Sequence, residues 1–187
     1  MDLIEGIKTR RSIRKFTDKP IEQEILHKIM EATAYAPSWK NTQVARYTIV
    51  EDRDIIAAIA NNGVLGFSFN TKTMLRSKLL VVQTVVTGIC GREKDGTFTT
   101  SKGSSWEMYD AGISAQTFCL AAHEYGVGTV IMGIVDEVKV KELLHTHQDK
   151  KVTAVIAMGY YEGEHAVPTR KSVEELMTFI PAKKKYI

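Results

Sequence analysis

The segment Leu79-Leu80-Val81-Val82-Gln83-Thr84-Val85-Val86 constrains the fold more than any other stretch of the chain. Side chains alternate between the two faces of a strand, so apolar residues at successive positions bury both faces at once. A strand of this kind lies in the middle of a sheet that is covered on both sides. Three further segments supply strands: Arg46-Tyr47-Thr48-Ile49-Val50, Thr129-Val130-Ile131-Met132, and Val152 to Met158, all rich in β-branched residues.

The covering layers are legible as helical periodicity. Leu3, Ile4 and Ile7 share one face of a short opening helix. Ile21, Ile25, Leu26, Ile29, Met30 and Thr33 mark a second helix. Asp18 or a neighbour is expected to cap it, with Pro20 in its first turn and Pro37-Ser38 as its stop. Residues 52–60 form another helix, Asp136 caps one that runs to Leu144, and a short one is expected near Ser172–Thr178. Trp106 to Tyr125 is the longest, ended by Gly126 and Gly128. Its apolar residues occupy most of its circumference, which calls for packing on more than one side, and one side is assigned to a second subunit. Residues 61–78 read either as a loop carrying part of a lid or as a short irregular helix, and 88–104 as a long polar loop. The sum is one α+β domain spanning residues 1–187.

A chain of 187 residues buries enough surface to need neither a metal nor a disulfide staple. Cys90 and Cys119 lack C-x-x-C spacing, and Cys119, within Phe118-Cys119-Leu120-Ala121-Ala122, reads as a small buried thiol. The five histidines show no ligand spacing, so no metal is expected. No apolar run approaches the roughly 18 residues of a membrane span. The start, Met1-Asp2-Leu3-Ile4-Glu5-Gly6, lacks the basic-then-apolar pattern of a signal peptide, so a cytoplasmic protein without a membrane partner is expected.

The net charge of +3 says little, but its distribution is uneven. Within residues 8–19, Lys8, Arg10, Arg11, Arg14, Lys15 and Lys19 face only Asp18. Charge confined in this way points to a local anion site, whereas a nucleic-acid domain carries a broad basic face. The plain alternative is a solvated helix end and charged loop.

Four motifs carry chemistry. In Arg10-Arg11-Ser12-Ile13-Arg14-Lys15-Phe16, an extended chain would turn Arg10, Ser12 and Arg14 to one side, where guanidinium forks and a hydroxyl suit a phosphate. In Ala36-Pro37-Ser38-Trp39-Lys40-Asn41-Thr42-Gln43, a helix ends in a polar turn whose amides can bond a planar heterocycle. In Gly128-Thr129-Val130-Ile131-Met132-Gly133-Ile134, a strand runs into a glycine that a flat ligand can approach. Pro168-Thr169-Arg170-Lys171 is a late basic pair able to return to the same anion.

The order R-R-S-x-R-x-F, then A-P-S-x-x-N-x-Q, resembles the nitroreductase-like family of FMN-dependent oxidoreductases. The likeness continues through Asp110-Ala111-Gly112-Ile113-Ser114-Ala115-Gln116, Leu120 to Gly128, and Val155-Ile156-Ala157-Met158-Gly159-Tyr160. It implies a nitroreductase-like fold, with a central mixed sheet flanked by helices, in an interwoven homodimer holding FMN in two interfacial pockets. By position, Arg10 and Ser12 would bind the FMN phosphate, joined by Arg170 and Lys171, with Arg11 a further candidate. Arg14 would stand near flavin N1 and the C2 oxygen as an electrostatic stabiliser. Asn41 would bond the pyrimidine edge, Pro37, Ser38 and Trp39 would reach the ring from the partner subunit, and Met132 and Gly133 would present backbone N–H groups to N5 and O4. No side chain is assigned as a catalytic acid, because the flavin carries the hydride chemistry.

The implied activity is ping-pong transfer of hydride from NADH or NADPH to a nitroaromatic, quinone or similar small acceptor. Two features depart from the family pattern. Val44 stands where many relatives carry a basic residue, with Arg14 and Lys40 the candidates to compensate, and residues 61–78 and 88–104 replace longer substrate-covering regions. The competing readings are a specialised flavin enzyme of the same fold such as a reductive dehalogenase, a redox-silent flavin-binding protein, and a nucleic-acid-binding protein using residues 8–19.

Overall fold

The computed structural model describes residues 2–182. Four strands, β1 (Ala45–Val50), β2 (Leu79–Val86), β3 (Val127–Met132) and β4 (Lys150–Tyr160), form one sheet in the order β1-β2-β4-β3. The helices are α1 (Leu3–Thr9), α2 (Gln23–Thr33), α3 (Arg53–Asn62), α4 (Ser68–Arg76), α5 (Ser105–Glu124), α6 (Glu137–Leu143) and α7 (Val173–Leu176). The apolar octet is β2, hydrogen-bonded on both edges, and all its residues but Val86 are buried. The fold is α+β with helices on both faces of the sheet.

The two faces of β2 feed two separate cores, as the alternation rule requires. Leu80 and Val82 pack with Ile56 and Ile59 of α3, Met74 of α4 and Val140 of α6. Leu79 and Val81 pack with Leu26 and Ile29 of α2 and with Phe118, Cys119 and Ala122 of α5. Each fully buried aliphatic side chain contributes about 2 kcal/mol. A polar network then fixes α5 against the sheet. The buried Gln83 donates to Tyr47 Oη (3.1 Å) and to the Ala111 carbonyl (2.9 Å), while its Oε1 accepts from Thr153 (2.7 Å).

All four strands pair antiparallel. β2 and β3 run in the same direction, but β4 lies between them. Among the described residues the mixed character expected of the sheet rests on a single parallel bridge, between Ser12 and Thr129. That bridge docks the basic N-terminal segment onto the β3 edge.

Several boundaries differ from the sequence expectation. α2 starts at Gln23, with Glu22 rather than Asp18 at its cap and Pro20 outside its first turn. The reason is tertiary: Asp18 is drawn to Lys78 (2.6 Å) and Ile21 is buried against the α2–α5 core, so 18–21 stays outside the helix. Gly126, at φ 71°, ends α5, but Gly128 lies within β3 and terminates nothing. Residues 61–78 contain a regular helix, α4, and 88–104 contain a small bridge between Arg92 and Phe98. α5 buries one face, while Met108 and Tyr109 point outward. Leu3, Ile4 and Ile7 of α1 are also exposed. Among the described residues, no helix is long and apolar enough to cross a membrane.

Candidate functional site

Two glycines make the site possible. Gly128 and Gly159 face each other across β3 and β4. A Cβ on Gly128 would stand 2.6 Å from both Ile13 Cγ1 and Tyr161 Cδ1, and one on Gly159 would stand 3.0 Å from Phe16. Over this bare strip of backbone the segment after α1 runs extended, with the Ile13 amide donating to the Thr129 carbonyl (2.9 Å) and the Thr17 amide to the Tyr160 carbonyl (2.8 Å). Ile13 is inward and buried, so its neighbours Ser12 and Arg14 turn outward.

Arg10, Arg11, Ser12 and Arg14 line a cavity of about 310 Å³ together with His165, Ala166, Pro168 and Arg170. Residues more than 150 positions apart thus line one cavity, to which four arginines contribute and, among the described residues, no carboxylate does, while Arg14 donates to the Ser12 carbonyl (3.3 Å) and Arg170 to the Pro168 carbonyl (3.0 Å). Among the described residues, the Nε atoms of Arg10 and Arg11 are buried without a hydrogen-bond partner. Part of the Arg11 head is used locally, donating to the Lys8 and Arg10 carbonyls at the end of α1 (2.6 and 2.8 Å). Buried donors left open beside concentrated positive charge fit a dianionic phosphate, because charge-assisted bonds would satisfy both needs.

The second motif lies elsewhere in the same chain. Pro37, Ser38 and Gln43 line a separate cavity of about 200 Å³ between α2 and α5, with Arg46, Asp110 and Ser114. The turn is strained: Lys40, Asn41 and Gln43 all have positive φ (43°, 55° and 48°). Such conformations cost about 1–3 kcal/mol each and persist only where surroundings enforce them. Ser38 Oγ accepts the Gln43 amide (2.9 Å), and Trp39 packs on Trp106 with ring centroids 4.8 Å apart.

Trp39, Asn41, Met132, Gly133 and Lys171 line neither of these two cavities. Met132 sends its side chain into the α3–α6 core, leaving backbone toward Gly133, where a Cβ would meet nothing within 4 Å. Sequence reasoning missed His165 and Arg46. His165 carries no spacing signal, and Arg46 stands within a strand pattern. The Arg46 guanidinium folds back to the Ala45 carbonyl (2.8 Å), and Arg46 lines the turn's cavity, which neither Arg14 nor Lys40 does.

The sequence pattern of the Nitroreductase family matches residues 7–160. The chain belongs to that family. A relative from Methanothermobacter thermautotrophicus, provisionally named an NADH dehydrogenase/NAD(P)H nitroreductase, is 29% identical over 86% of this chain and 78% of its own. Among solved structures, a nitroreductase family protein from Clostridium novyi NT is 28% identical with a TM-score of 0.74, covering 87% of this chain and 86% of that one. An FMN-dependent nitroreductase from Clostridium difficile R20291 is 26% identical with a TM-score of 0.72, covering 89% and 92%.

One titration in this nitroreductase-family chain is set by burial beside the basic segment. His123 on α5 bonds Thr9 Oγ1 (2.9 Å), and its pKa is lowered, first by burial and then by Arg10 and Arg11. A depressed imidazole value means that the folded chain refuses a proton the unfolded chain accepts. The associated stability is therefore complete above the ordinary value of about 6.5 and lost as pH falls below it. Acidifying the ligand-free protein from about pH 7.5 to about 5.5 should lower its melting temperature more than that of His123→Gln. Equal acid sensitivity of the two proteins would remove His123 from this role.

Proposed function

We propose that this nitroreductase-family protein is an FMN-dependent oxidoreductase that takes hydride from NADH or NADPH and passes it to a nitroaromatic, quinone or similar small acceptor. The observation that carries this reading is the convergence of Arg10, Arg11, Arg14 and Arg170 on one cavity, with two guanidinium Nε donors buried and unsatisfied. Family membership and the FMN named for the Clostridium difficile relative support it.

In this reading Arg10, Ser12 and Arg170 hold the phosphate, with Arg11 and Lys171 at its margin. Arg14 is exposed at the same cavity and is the cation for the electron-rich edge of the ring. A fixed donor facing developing negative charge can be worth about 3 kcal/mol in a site poor in water. Bound FMN supplies a two-electron hydride acceptor and donor at N5. Met132 and Gly133 offer backbone amides to that edge, while Asn41, with Pro37, Ser38 and Trp39, binds and orients the ring.

The turn and the phosphate cavity are separate within one chain, so the reading takes the ring-binding turn from a second copy. Surface apolarity supports that assembly. Leu3 (70% exposed), Tyr109 (62%), Phe179 (79%) and Ile180 (87%) lie open on this chain and offer apolar surface to such an interface.

The test is the visible spectrum of the purified protein, before and after anaerobic addition of NADH or NADPH. Flavin absorbance that bleaches on addition and returns with a nitroaromatic or quinone is the expected result. A protein that stays colourless after incubation with FMN while folded and dimeric refutes the reading, and bound flavin that neither nucleotide bleaches refutes the reaction.

A further inference from the structure

α5 carries two carboxylates into the interior one turn apart, Glu107 at 4% and Asp110 at 3% exposure. Among the described residues neither forms an ion pair. Each instead receives a backbone amide from a different loop: Glu107 Oε1 from Gly88 (2.9 Å) and Asp110 Oδ2 from Trp39 (2.9 Å). Asp110 Oδ2 also accepts from Cys90 Sγ (3.1 Å). Burial, then the hydrogen bond to Asp110 and its charge, pushes the Cys90 thiol up to about 12, so it stays a donor across the physiological range. One carboxylate oxygen therefore ties two segments together, the strained 37–43 turn and the 88–104 loop.

The surrounding contacts run the same way. Lys40 of the turn reaches Glu93 of the loop (2.9 and 3.0 Å), and Trp39 packs at a tilt against Trp106 at the start of α5. A buried carboxylate without a cation is stable only while its donors stay in place. Neither segment can leave without uncovering it, and a turn with three positive-φ side chains needs an external tie of this kind.

We propose that Asp110 is the positioning residue for the turn that bears Asn41, and that through Cys90 it couples this turn to the 88–104 loop. The proposal rests on the FMN reading for its functional consequence, since that reading gives the turn its ring contacts. Asp110 acts through the turn, setting where Asn41 stands. The loop and the ring-binding turn then shift together, so a change in one is felt at the other.

The experiment uses the full chain as Asp110→Ala, Asp110→Asn, Cys90→Ala and Cys90→Ser. Backbone hydrogen exchange is followed in the ligand-free proteins, and the dissociation constant and visible band shape of FMN in the same proteins. Asp110→Ala is expected to speed exchange of the Asn41, Thr42 and Gln43 amides at least about tenfold and to weaken FMN about tenfold with altered flavin bands, while β2 stays protected. Asp110→Asn, which keeps one acceptor oxygen, should show a smaller loss. Cys90→Ala should loosen both 38–43 and 88–104, and Cys90→Ser, which restores a donor, should reverse this.

Wild-type exchange across 38–43 in Asp110→Ala overturns the proposal, as does a loosened turn with unchanged FMN affinity and spectrum. If Asp110→Ala does not fold, Asp110→Asn and the cysteine pair decide it, and Cys90→Ala exchanging like wild type in both segments overturns the coupling. A wild-type protein that takes up no FMN defeats the proposed function instead, while the exchange measurements still decide whether Asp110 holds the turn.

Discussion

Replacing Arg10 and Arg170 together with alanine should weaken FMN binding by about a thousandfold while leaving the ligand-free protein at least as stable as wild type. Hydrogen bonds to a charged group contribute about 1.5–3 kcal/mol each, so losing one guanidinium from each end of the chain removes about 3–6 kcal/mol. The two residues line one cavity, so their effects are expected to couple rather than add. The sign on stability is opposite. Four arginines line the cavity and, among the described residues, no carboxylate does, so the like charges repel one another until an anion arrives. Removing two relieves that repulsion. Flavin fluorescence titration and thermal melts of the ligand-free proteins check both halves. A double variant that retains FMN with wild-type affinity would show that the cavity is not where the phosphate binds. Arg10→Lys should be intermediate, because lysine keeps the charge but loses the two-pronged geometry.

Gly128→Val should be the most damaging single change outside the two cores. The backbone there is ordinary strand, so the effect is one of space alone. Any Cβ falls 2.6 Å from Ile13 Cγ1 and from Tyr161 Cδ1, well inside van der Waals contact. Overpacking of this kind costs about 1–3 kcal/mol, and valine adds two methyl groups to a Cβ that already collides. The displaced element matters more than the lost stability. Ile13 is the buried peg between Ser12 and Arg14, and the Ser12–Thr129 bridge is its register mark. Lifting it from β3 moves the arginines off their common cavity, so FMN affinity should fall at least about tenfold beyond what unfolding explains, since a small misplacement of oriented groups is expensive. Denaturant unfolding and FMN titration of Gly128→Ala and Gly128→Val measure this. Wild-type stability in both variants would mean that the segment does not seat on the glycine strip.

The strand octet, the opening helix and the long central helix were readable because each depends on a short period. β2 matches its expected limits from Leu79 to Val86. The motif Arg10-Arg11-Ser12-Ile13-Arg14 stands out as a candidate anion site because charge density and an alternating pattern are local properties. The start of α2 was misplaced because Asp18 is claimed by Lys78, a partner sixty residues away. Gly128 looks like a helix stop because a glycine after a helix normally is one, and nothing nearby in sequence announces that Ile13 and Tyr161 cross over it. Asp110 lay in plain view within a helix motif. That its carboxylate is buried beneath the Trp39 amide depends on how α5 is seated against the sheet.

Periodicity alone thus determined the α+β class and a central strand with two buried faces, and side-chain chemistry marked two basic segments as candidates for an anion. These are properties of neighbours within a few positions, where backbone geometry dictates which side chains share a face. Which groups stand in one cavity is a different matter, because it is settled by contacts between residues far apart in the chain. Docking of the 12–17 segment on β3 and β4 gathers Arg10 and Arg14 with Arg170, and the seating of α5 carries Asp110 under the 37–43 turn.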